Sequence, residues 1–242
     1  MKYVKGSFLG AFLGLVFAQQ VLSQPQVYEI WEPDIRKFEH ADSVETYAPD
    51  AVLFTGSSSI RLWSTLQENM KPFTIIQRGY GGAKLDDFNY FARRIIYPHT
   101  FRALVIFIAN DITGNEDDKR PEEVADLFAG LLKTVREKYP DVPLFWISTT
   151  PTELRWEVWP EIKQAGELIR KYCEQDAHAY YIAAADAFLN SDCMPRADLF
   201  QSDRLHLNER GYALWTGVIK HELEKVLCKS STSIQNRSST DK

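Results

Sequence analysis

The sequence predicts a doubly wound α/β domain on a parallel, five-stranded sheet of order 2-1-3-4-5. Three observations predict it. Short apolar runs of strand length recur at residues 51–55, 73–77, 103–109, 143–149 and 180–184. The longer segments between them place apolar residues at helical spacing, so strands and helices alternate as βαβ units with right-handed crossovers. The run at 103–109, ALVIFIA, is apolar throughout, as a central parallel strand covered on both faces must be.

Taken in order, residues 27–47 carry Ile30, Trp31, Ile35 and Phe38 at helical spacing among charges, which predicts a helix packed on the domain surface. Pro49 and Asp50 precede the first strand. Gly56 then permits a sharp turn, Ser57, Ser58 and Ser59 stand at a helix start, and residues 60–70 continue that helix. The second strand, 73–77, runs into Arg78-Gly79-Tyr80-Gly81-Gly82, and residues 83–96 form a helix closed by Pro98. Asn110-Asp111 ends the third strand, and Pro121 opens an amphipathic helix through Lys138. After the fourth strand, residues 150–160 form a loop holding Trp156 and Trp159, followed by a helix to about Gln175. An irregular segment at 190–204 follows the fifth strand, and residues 209–227 make the last amphipathic helix.

With 242 residues, 45% of them hydrophobic, the chain suits one sizeable core, and it shows neither an internal repeat nor a second domain. A net charge of −5 without a basic stripe argues against a nucleic-acid partner. Lys2 and Lys5, an apolar run at 8–18 too short to span a bilayer, and small residues after it read as a cleaved secretory signal. The cut falls after Ala18 or Ser23, so residues 1–23 are the leader and 24–228 the domain of a secreted or periplasmic protein without a membrane span. The polar, Ser-rich residues 229–242 are expected to be a disordered tail. Cys173, Cys193 and Cys228 allow at most one internal disulfide and have no metal-ligand spacing.

The topology brings separate chemical groups to one place. In the order 2-1-3, the first three strands are neighbours, and ligands bind outside their carboxyl ends at the switch point. Ser58 follows strand one, Gly82 strand two and Asn110 strand three, so all three converge on one crevice. A strand, a glycine turn and serines at a helix start present a nucleophilic hydroxyl. The same serines would equally serve as helix caps. The Ser58 and Gly82 N–H groups with the Asn110 side-chain amide make a three-donor oxyanion hole, each donor worth about 3 kcal/mol of transition-state stabilisation. Among five histidines, His206 stands out because Asp203 lies three residues before it, where a carboxylate can fix the imidazole tautomer and stabilise the imidazolium.

The order of Gly56-x-Ser58, Gly81-Gly82, Asn110-Asp111 and Asp203-x-x-His206 resembles the SGNH hydrolases, the GDSL esterase/lipase family, over residues 51–227. The resemblance implies a three-layer, flavodoxin-like fold. It also implies a nucleophile at Ser58, oxyanion donors at Ser58, Gly82 and Asn110, and a triad completed by Asp203 and His206. Two departures stand out: Ser57 replaces the aspartate of the family's Gly-Asp-Ser, and Ile108 stands where the family has glycine, which would reshape the pocket wall beside Asn110.

The expected activity is hydrolysis of a short-chain, acetyl-type, carbohydrate-linked ester through an acyl-enzyme, without metal or organic cofactor. Arg61 is a candidate contact for an anionic group on the substrate, and Trp63, Trp156 and Trp159 are candidate faces for a sugar ring. Family analogy also allows a lysophospholipid or platelet-activating-factor-like ester. A non-catalytic module holding a sugar or phosphate on the serine turn is the rival from another class.

Overall fold

The computed structural model describes residues 28–237, with side chains to Cys228; the leader expected at 1–23 lies outside them. Strands β1 (Val52–Gly56), β2 (Ile75–Gly79), β3 (Ala103–Phe107), β4 (Leu144–Ile147) and β5 (Ala179–Ile182) form one parallel sheet in the order β2-β1-β3-β4-β5. The sheet order is the predicted one.

Alternation along the strands divides the protein into three layers. Leu53, Ile76, Leu104, Ile106, Leu144 and Trp146 face one apolar core, which is covered by α1 (Glu32–Val44), α4 (Leu85–Ile96), α5 (Pro121–Lys138) and α6 (Trp159–Gln175). Val52, Phe54, Ile75, Val105, Phe107, Phe145 and Ile147 face the other, beneath α2 (Ser58–Arg61), α3 (Leu66–Asn69) and α7 (Glu209–Arg237). β1 and β3 are buried along their whole length, which is why both read as unbroken apolar runs.

Three elements differ from expectation. The helix predicted at 60–70 is two single turns, α2 and α3, because residues 62–65 bend to bury both Trp63 and Leu66 in the core. Gln77 makes the break tolerable: its amide donates to the carbonyls of Ile60 (2.6 Å) and Trp63 (3.2 Å), which a continuous helix would have paired internally. The loop at 150–160 contains a 3-10 stretch, Glu153–Val158, opened by Thr152, whose hydroxyl accepts the Arg155 N–H at 3.3 Å. Helix α7 continues past residue 227 to Arg237, through the segment expected to be a disordered tail, since neither Gly nor Pro interrupts residues 228–237. All three cysteines are free thiols; Cys173 is buried, and burial pushes its thiol up to about 12. No helix among the described residues is long and apolar enough to cross a membrane.

The turn after β1 is set by Gly56, whose φ of +126° suits glycine alone. A Cβ there would meet the Phe107 carbonyl oxygen at 2.0 Å, and the same oxygen accepts the Ser57 N–H at 2.8 Å. We therefore expect Gly56→Ala to lower stability by about 2 kcal/mol or more, since strain and steric overlap act together. An unchanged urea midpoint would contradict this.

Candidate active site

The sharp turn at Gly56 leaves Ser57 extended and buried, and Ser58 becomes the first residue of α2. The Ser58 N–H therefore has no carbonyl a turn earlier in the helix to bond. From α7, the Tyr212 hydroxyl donates to the Ser59 carbonyl at 2.9 Å and anchors the turn from behind.

The partner segment is a tight loop closed by an antiparallel bridge between Phe200 and Leu207 and by the Gln201 N–H on the His206 carbonyl (2.8 Å). Arg204 turns the chain with φ +58°. Asp203 organises the loop's interior: one carboxylate oxygen accepts the N–H groups of Leu205 and His206, each at 3.0 Å, and the other lies 2.6 Å from His206 Nδ1. His206 Nε2 in turn lies 3.0 Å from Ser58 Oγ, across 148 residues of sequence. With the ring proton on Nδ1 facing the carboxylate, Nε2 is left to accept the serine proton. Partial burial pushes the Asp203 carboxyl up, but the bonds from the His206 ring and backbone and from Leu205 outweigh it. Asp203 is thereby held below the ordinary carboxylate range and stays ionised at neutral pH.

Ser58 and His206 wall a cleft of about 370 Å³ together with Asn110, Thr149, Thr150 and Arg155. Asn110, just beyond β3, donates through Nδ2 to the Ala83 carbonyl at 2.9 Å, while its Oδ1 accepts from Arg155 Nη2 at 2.7 Å. Arg155 Nη1 donates to the Ala109 carbonyl. Gly82, at φ +60°, is exposed and is not one of the cleft's walls, although Asn110 grips the very next residue.

Four residues behave differently from expectation. Trp63 is fully buried, stacked on Tyr212 with ring centroids 5.2 Å apart and packed against Trp215 and Phe54, so it is core and touches no substrate. Trp156 is half-buried, stacks on Trp159 at 6.1 Å and does not line the cleft. Arg61 is exposed and lies beside Gly81, outside the cleft wall. Ile108 points into the core under α5 and α6 and lines a separate apolar cavity with Val124 and Trp146, leaving the wall beside Asn110 unaltered.

Thr150, Arg155 and Tyr212 were missed. The first two follow β4, in a loop that the carboxyl-end rule covers, but a single threonine and a single arginine form no motif there. The Thr150 hydroxyl is buried with no hydrogen-bond partner among the described residues.

A sequence profile of the GDSL-like lipase/acylhydrolase family matches residues 44–214. No curated protein matches the chain in sequence. Solved structures with the same fold include a Streptococcus pneumonia protein assigned as a platelet activating factor (TM-score 0.70, 19% identity, covering 82% of this chain and 97% of that one). Others are a GDSL-like lipase from Bacteroides thetaiotaomicron (0.66, 16%, 79% and 97%) and a variant of an acetyl-xylooligosaccharide esterase from Geobacillus Stearmophilus (0.59, 11%, 72% and 94%).

The burial of Trp63 has a direct consequence. Trp63→Ala should cost about 3–5 kcal/mol in chemical denaturation, the range for emptying a buried aromatic site. A loss under 1 kcal/mol would return Trp63 to the surface as a ligand contact.

Proposed function

The chain belongs to the GDSL-like lipase/acylhydrolase family and is an ester-hydrolysing enzyme, and from that premise we propose that it is a secreted serine esterase with Ser58 as nucleophile. The observation that carries this reading is the 3.0 Å approach of His206 Nε2 to Ser58 Oγ, with Asp203 on the far side of the same ring. A module that merely held a sugar or phosphate would have no use for an imidazole in that position.

His206 takes the Ser58 proton as Oγ attacks the ester carbonyl. Asp203 keeps the ring oriented and stabilises the imidazolium. The carbonyl oxygen becomes an oxyanion facing the Ser58 N–H and the Asn110 amide, with the Gly82 N–H as third donor on the turn that Asn110 holds through Ala83. His206 then gives its proton to the departing alkoxide, and the alcohol leaves. Water attacks the acyl-serine by the same steps in reverse order: His206 removes its proton, the tetrahedral adduct collapses, and the serine proton returns as the carboxylic acid is freed.

The acyl group is short and acetyl-like, in keeping with a cleft whose walls mix Ser, Thr and Asn side chains with Phe107, Ala109, Leu205 and Leu207. The alcohol is a carbohydrate hydroxyl, as for the acetyl-xylooligosaccharide esterase of the same fold. A lysophospholipid or platelet-activating-factor-like ester would instead show as a preference for long acyl chains or a phospholipid alcohol.

Ser58→Ala should reduce hydrolysis of an aryl acetate by about 10⁴-fold or more while the circular dichroism spectrum stays unchanged. A fluorophosphonate probe should label Ser58 in the native protein and fail to label the His206→Ala variant. Full turnover by Ser58→Ala would overturn the assignment. Asp203→Asn removes the carboxylate that selects the tautomer, and kcat should fall about 10⁴-fold with little change in KM; activity within tenfold of native would exclude Asp203 from the triad.

A further inference from the structure

We propose that Arg155 is a positioning residue for the oxyanion site: its guanidinium clamps the Asn110 amide and places a positive charge one hydrogen bond behind it. The proposal rests on Ser58 chemistry as described above and adds a residue to it from a different loop.

The guanidinium reaches from the 3-10 stretch after β4 to the end of β3, where it bonds two adjacent oxygens, the Ala109 carbonyl and Asn110 Oδ1. A planar fork offers two parallel N–H groups to acceptors side by side, a geometry that the splayed donors of an ammonium group do not share. The contact decides which way the Asn110 amide faces. With Oδ1 taken by a donor, Nδ2 must present its hydrogens on the other side. One goes to the Ala83 carbonyl at 2.9 Å, leaving the second for an oxyanion in the cleft that Asn110 lines. Without Arg155 the amide would be held by the Ala83 carbonyl alone, and any flip that turned its oxygen toward the cleft would repel the developing charge.

The charge itself is unusual. Both acceptors of Arg155 are neutral, and its guanidinium makes no ion pair among the described residues. Burial pushes the guanidinium below the usual arginine range, and the more distant Asp118 and Asp111 offset this only in part. A partly buried cation without a counter-ion costs stability, so folding alone does not account for it. It suits a site that must stabilise negative charge formed during reaction: the charged donor on Oδ1 polarises the amide, and its field acts in a medium of low dielectric.

The test is a set of kinetic constants on an aryl acetate for Arg155→Met, Arg155→Lys, Asn110→Ala and the double variant Arg155→Met/Asn110→Ala, each checked by thermal melting. Arg155→Met should lower kcat about 100-fold with KM within twofold, the signature of a lost transition-state interaction. Arg155→Lys, which keeps the charge but not the fork, should fall between Arg155→Met and the native enzyme. The double variant should be no slower than Asn110→Ala alone, because Arg155 acts through Asn110. Multiplicative losses in the double variant, or a loss confined to KM, would overturn the proposal. Should Arg155→Met fail to melt cooperatively, Arg155→Lys in the native and Asn110→Ala backgrounds decides alone: about a tenfold drop in kcat in the first and none in the second supports it, and equal drops refute it. Activity surviving in Ser58→Ala would defeat the nucleophile assignment; an inactive Ser58→Ala beside an Arg155→Met with native kcat would defeat only the role of Arg155.

Discussion

Much of the architecture depends on the backbone of Gly56 lying against the carbonyl of Phe107. The two residues end neighbouring strands, and the absence of a side chain lets β1 turn away at once instead of running on beside β3. That turn delivers Ser58 to the mouth of the sheet. The bond from Ser57 N–H to the same carbonyl ties the turn to β3, three residues before Asn110. Hydroxyl and amide thereby stand just past the ends of two neighbouring buried strands, so sheet geometry brings their backbones together.

The histidine reaches the same cleft by a different device. It lies outside any long element, on a loop stiffened from within by the two N–H bonds to Asp203 and from without by the Phe200–Leu207 bridge. Asp203 therefore shapes the loop as well as orienting the ring. Behind the serine, Tyr212 joins α7 to the turn, and the packing of Trp63, Tyr212 and Trp215 keeps that helix against α2. Core packing on one face of the sheet and site geometry at its edge are thus one structure: the tryptophan that reads as a surface sugar platform is part of the support.

The strands and sheet order were readable because a parallel sheet covered on both faces leaves the plainest signal a sequence has, short apolar runs separated by helices. The broken helix at 60–70 was not, since its apolar residues have helical spacing and the extra bonds to the carbonyls at the break come from Gln77, on the neighbouring strand. Trp63, Trp156 and Ile108 misled for a common reason. Residue type says that a side chain is large and apolar, while which way it points depends on elements elsewhere in the chain.

By itself the sequence determined the layer architecture, the turn at Gly56, the convergence of Ser58 and Asn110, and the Asp203–His206 pair, because each follows from local pattern or from the rule that parallel strands share one carboxyl edge. Only the tertiary structure decided that His206 meets Ser58, that Trp63 is core, and that Arg155 holds Asn110. Those contacts join segments about 45 to 150 residues apart, and hydrogen bonds at such separations leave no periodicity for a sequence to display.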